Sequence, residues 1–92
     1  MTSAERLSML KIDLGIVTNA YDDRLAQYLV TAEAEIAREG AVYDNSMDFD
    51  NIIIMYAAWM WRRRDTGEGM PRMLRYALNN LVFQQKVSGG SE

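Results

Sequence analysis

Ile52–Trp61, IIIMYAAWMW, runs for ten residues without a polar side chain and is followed at once by Arg62, Arg63 and Arg64. The run has helical length, and its apolar residues point in every direction around the axis, so the helix must be covered on every side. Phe49, Ile52, Ile53, Tyr56 and Met60 form the expected inward stripe. Ile54, Ala58 and Trp61 fall on the far side, Met55 and Trp59 on one flank and Ala57 on the other. Trp59 and Trp61 are two positions apart, hence about 200° apart around the axis, and cannot share one pocket. The pattern predicts a helix from Asp48 to Arg64, capped by Ser46 or Asp48.

Working outward from this block, three more helices are predicted. Thr2 and Glu5 have the spacing of a capping box, Leu7, Leu10 and Leu14 share one face, and Gly15 is a C-terminal stop. Asn19, Asp22 and Asp23 put acceptors and negative charge at the start of a second helix. Leu25, Tyr28, Leu29, Ala32 and Ile36 form its stripe, opposite Gln27, Thr31 and Arg38, and Gly40 ends it. Residues 41–47, AVYDNSM, read as a loop. After the turn DTGEG at 65–69, Pro71 suits the first position of a fourth helix, where its missing amide costs nothing. Leu74, Ala77, Leu78 and Leu81 face inward, while Tyr76 and Phe83 lie on the outer face beside Arg72. Val87 either ends this helix or begins a short extended arm. The reading is an all-α compact bundle of four helices, one domain over 1–86, with a flexible Gly/Ser tail at 87–92.

Composition narrows the chemistry. Apolar residues make up 49% and charged residues 25% of 92 residues, the balance of an ordinary globular domain. The chain has neither cysteine nor histidine, which removes disulfides, the thiolate nucleophile, the usual general base and the commonest zinc ligand. The N-terminus MTSAERLSMLK carries charges before any apolar run, unlike a secretory signal, and the ten-residue block is about half of a bilayer crossing. A soluble intracellular protein is expected. The net charge of −3 is uneven: residues 1–50 carry ten acidic and four basic side chains, a net −6, and residues 51–92 three and six, a net +3. Such polarity suits head-to-tail contact between copies, or is plain surface heterogeneity.

No constellation reads as a site of catalysis or metal binding. Counting a calcium loop from Asp44 puts Phe49 where glycine is needed and Met55 where glutamate is needed, so Asp44, Asp48 and Asp50 read as helix caps. Asp22–Asp23 and Glu33–Glu35 sit on expected exposed helix surface, and Gly67 and Gly69 lack the lysine and spacing of a phosphate loop. No enzymatic activity, cofactor or metal is expected. Arg62, Arg63, Arg64, Arg72 and Arg75 cluster at a helix–turn–helix-like junction, so a small DNA-binding regulator is the alternative reading. Against it stand the net acidic charge and the suitability of arginines to the C-terminal end of a helix dipole.

The apolar central helix decides between these readings, in one of two ways. Either Ile54, Ala58 and Trp61 pack beneath the first helix and the loop, or copies of the chain cover them. The chain has more apolar surface, both tryptophans included, than it can hide by itself, so cover by sister copies is the expectation. Three or four large side chains left uncovered forgo about 1.5–3 kcal/mol each, comparable with the about 5–15 kcal/mol that holds a small domain together. With Tyr76 and Phe83 also facing out, two different sticky patches make a heterologous contact, which closes into a ring or continues as a filament.

The order of elements resembles the small head–tail connector, or adaptor, proteins of tailed bacteriophages and prophages. The likeness is carried by ERLSMLKIDLG (5–15), DDRLAQYLVTAEAEIAREG (22–40), IIIMYAAWMWRRR (52–64) and MPRMLRYALNNLVFQ (70–84). It covers residues 5–85 and rests on element order and a few anchor residues rather than a chemical signature. It implies a structural homo-oligomer: a ring of about a dozen copies around the DNA channel, closed by heterologous contacts. Such a ring docks under the portal protein after DNA packaging and offers a platform to the next tail-joining protein. DNA passes through without sequence-specific binding, and no membrane is involved. It also implies residence in the virion at the head–tail junction, and in the host cytoplasm during assembly. By position, Trp59–Arg64 and Met70–Arg75 would lie in subunit or portal contacts. Trp59, Trp61, Tyr76 and Phe83 are the expected aromatic anchors, oriented by Arg62, Arg63, Arg64, Arg72 and Arg75 through pairs with the acidic half. The chain departs from its likeness after Phe83, where few and glycine-rich residues replace a longer docking segment.

Overall fold

Ser46 starts the central helix, its hydroxyl accepting from the Phe49 amide at 3.1 Å. A computed structural model describes residues 1–90, and side chains as far as Val87. Its elements are α1 (Ser3–Leu14), α2 (Asp22–Arg38), α3 (Met47–Thr66) and α4 (Arg72–Gly90), with no strand among the described residues, so the fold is all-α.

Local chemistry sets the boundaries. At α1 the Thr2 hydroxyl accepts from the Glu5 amide at 3.1 Å and the Glu5 carboxylate from the Thr2 amide at 2.7 Å, the reciprocal capping box. Gly15, at φ 70°, supplies the left-handed residue that ends α1. Asn19 does not cap α2: its side chain accepts from Lys11 Nζ at 2.9 Å, and Lys11 also pairs with Asp22 at 2.8 Å. That pairing ties α1's last turn to α2's first, where a carboxylate suits the dipole. Gly67, at φ 68°, ends α3 two residues later than its arginines suggest.

The helical stripes then close on one another. α3 packs against α1, α2 and α4, and α4 packs chiefly on α3. Leu10 from α1, Leu25, Leu29, Ala32 and Ile36 from α2, and Leu74, Leu78 and Leu81 from α4 all join its core. In the Ile52–Trp61 block only Met55 is exposed, Met60 and Trp61 are half-buried, and the other residues are buried. The cover for the central helix therefore comes from its own chain. The expectation that sister copies must cover Ile54, Ala58 and the tryptophans is overturned, because three helices surround α3.

The radius of gyration is 13.6 Å and the longest axis 47 Å; an isotropic domain of this size has about 12 Å. α4 contributes to this elongation, since it lies along one neighbour only. It also runs through Gly90, so Val87 begins no extended arm. Of the expected flexible tail, residues 91–92 lie outside the described residues.

Candidate interaction surface

The C-terminal turns of α3 bring together most of the aromatic and arginine residues singled out in the sequence, but they bind them to the chain itself. Trp59 is 8% exposed. Its indole N–H donates to the carbonyls of Glu68 at 3.3 Å and Gly69 at 3.1 Å, Tyr56 meets its ring edge-on at 5.4 Å, and Arg63 stacks over it at 4.6 Å. Trp59 is thus a core residue that pins the α3–α4 turn. Trp61 faces the other way, as its spacing requires. It stands edge-on to Tyr21 at 5.3 Å and Tyr28 at 6.1 Å, with Arg64 stacked at 3.6 Å. Trp59 is thus enclosed by its own chain, while Trp61 is half-buried and keeps part of its ring surface open.

The arginines divide similarly. Arg64 also donates to the Trp61 carbonyl at 2.6 Å. Arg75 forks onto Glu39 at the end of α2, at 3.0 and 3.2 Å, a pair between the basic and acidic halves of one chain. Arg62 and Arg72 are exposed and lie over no ring, and Arg63 and Arg64 stay exposed above theirs. An exposed arginine over a ring contributes about 0.5–1 kcal/mol, so these contacts orient more than they stabilise.

On α4 the sequence expectation and the structure agree. Tyr76 is 59% and Phe83 66% exposed, flanked along the same face by the exposed Met73 and Val87. With Asn80 between them these positions step by three and four residues, so they form one stripe along the helix. The buried row Leu74, Leu78 and Leu81 lies on the opposite side. Exposed apolar residues scattered singly need no explanation, but four aligned in one row around a single polar residue do.

A second apolar surface had no signal in the sequence reading. α1's start, α2's outer face and the α2–α3 loop enclose an open groove of about 760 Å³. Its walls include Ala26, Val30, Ala34 and Ala37 from α2 and Val42 from the loop, with the paired Arg6 and Glu33 among the residues lining it. Read by itself, α2's alanine-rich outer side looks like ordinary solvated helix; only the loop folding over it makes a concavity.

The loop is held there by a buried ionic network, also missed by the sequence reading. Asp50, taken there as a helix-capping acid, is 1% exposed. Its Oδ1 accepts from Arg6 Nε at 2.9 Å and from the Tyr43 hydroxyl at 2.8 Å, while the Met1 ammonium lies 3.1 Å from Oδ2. Arg6 reaches Glu33 at 2.8 Å as well. Burial alone pushes the Asp50 carboxyl up, but the Tyr43 and Arg6 hydrogen bonds outweigh it and hold it below the usual carboxylate range. An acid inside an apolar pattern could have been flagged as a buried partner for Arg6. Its position within the first turn of α3 made capping the simpler account.

No helix among the described residues is long and apolar enough to cross a membrane. Comparison with known protein families, with curated proteins and with solved structures finds no match to this chain.

Proposed function

We propose that the protein is a structural subunit that assembles with copies of itself, and that its place is the head–tail junction of a tailed phage or prophage. There it would fill the gap between portal and tail-joining protein, seal the DNA passage and carry out no reaction. The observation that carries the reading is the exposed face of α4, with Met73 and Tyr76, then Asn80, then Phe83 and Val87 in one row, on a helix whose opposite face already supplies the core. A monomer has no use for that second face, whereas aromatic side chains dominate the energetics of protein contacts. Two further features support it: the order of four helices carries the likeness to connector proteins, and the charge polarity of the halves suits head-to-tail growth.

The alternative of a DNA-binding regulator is weaker. Arg63, Arg64 and Arg75 are oriented by Trp59, Trp61 and Glu39 of their own chain, so only Arg62 and Arg72 are without such a contact. Two experiments separate the readings. Negative-stain imaging of concentrated protein should give closed rings with a central opening, and titration with random duplex should show weak binding with a shallow salt slope. A monomer that binds duplex tightly with a steep salt dependence would replace this reading by the regulator.

A further inference from the structure

We infer that the α4 stripe of one copy seats in the α1–α2 groove of a second copy. The inference rests on the reading above that copies of the chain assemble, and it names the two faces that meet. The stripe is a ridge, with Tyr76 and Phe83 two turns apart and more than half exposed. The groove is its counterpart, walled on the α2 side by the small side chains Ala26, Ala34 and Ala37 around Val30. Small residues on one helix let another approach to about 8 Å between axes. The lengths agree: Tyr76 to Val87 and Ala26 to Ala37 each span eleven steps, about 16 Å of helix.

Charge selects this pairing over its rival. α4 carries Arg72, Arg75 and Lys86 and no acidic residue, whereas α2 holds four acidic residues against Arg24 and Arg38, a net −2. Stripe against groove sets a basic helix on an acidic one, and the charged groups lining the groove itself, Arg6 and Glu33, are paired with each other. Stripe against stripe, the coiled-coil alternative that the spacing invites, would set a basic helix on its own copy. Position agrees too: α2 and α4 both pack on α3, and α4's stripe points away from it. The two faces are different surfaces, so each contact leaves a free stripe at one end and a free groove at the other, and growth stops only on closure. One helix ridge buries less than the about 800 Å² per partner of a stable pair. A single contact is therefore weak, and closure or a template makes the assembly hold.

The absence of cysteine makes the test direct. Asn80 lies mid-stripe and is exposed, so Asn80→Cys spares the apolar side chains. Copies carrying it are mixed with copies carrying Ala26→Cys, Ala34→Cys or Ala37→Cys, all exposed positions, and treated with a short bifunctional maleimide. Circular dichroism first establishes that each variant keeps its helicity. At least one mixture should give a cross-linked dimer that none of the four variants gives alone, and adding Phe83→Glu should cut its yield about tenfold. Cross-linking of Asn80→Cys with itself would overturn the inference in favour of stripe on stripe. Oligomers in sedimentation with no mixed cross-link would overturn the inference while leaving assembly standing. A monomer at every concentration, with no cross-link, would sink both.

Discussion

Among single residues, Asp50 carries the largest expected effect. Its carboxylate is buried and held by Arg6 and Tyr43, the first of which is itself largely covered. Removing one partner of a buried pair strands the other, so Asp50→Ala should lower stability at neutral pH by about 3 kcal/mol. The pH dependence follows from the direction of the shift. A carboxyl depressed in the folded state stabilises at pH above its unfolded value of about 3.9, and that contribution is lost as pH falls through the lower folded value. Urea unfolding of both proteins from pH 7 to pH 3 should show the gap between wild type and variant narrowing only below about pH 4. A gap that is constant with pH would mean that Asp50 acts through its shape alone. The Asp44–Asp50 segment also shows why this residue escaped the sequence reading. Asp44 accepts from the Ser46 amide at 3.0 Å, as turn chemistry expects, and Ser46 caps the helix. Only its place in an apolar pattern sets Asp50 apart from these neighbours, and its charged partner Arg6 lies 44 residues away.

At the scale of the helix, legibility followed the range of the interaction. The capping box of α1, the stop at Gly15, the stripe of α2 and the two faces of α4 depend on spacings within a few residues, and all four were readable. What covers α3 depends on how many neighbours reach it. The apolar block says only that cover is needed, not whether it comes from the same chain. Trp59 illustrates the gap: its partners are backbone carbonyls of a glycine turn that carry no sequence signature. α4 is the least supported element, resting on α3 through Leu74, Leu78 and Leu81 and on the loop through two hydrogen bonds of 2.7 Å between Gln85 and the Val42 backbone. Local opening follows such differences in support. Native-state hydrogen exchange should show the α4 amides exchanging well before those of Ile52–Trp59 in α3. Equal protection across both helices would mean that α4 belongs to one cooperative unit with the rest.

For the whole molecule the distinction is between what folds it and what it presents. The core draws on all four helices. Phe83 belongs to the other category. Phe83→Ser should leave the melting curve of dilute protein within about 0.5 kcal/mol of wild type, while shifting self-association to higher concentration in sedimentation. A large loss of stability would place Phe83 in the fold rather than on its surface. The opposite orientations of Trp59 and Trp61 give the chain two built-in optical probes at one end of α3. Emission from Trp59, left alone by Trp61→Phe, reports on the turn into α4. Emission from Trp61, left alone by Trp59→Phe, reports on the junction between α1 and α2 through Tyr21. If α4 peels away first, the former signal changes at lower denaturant than the latter, and the order in which this protein comes apart can be followed by its own light.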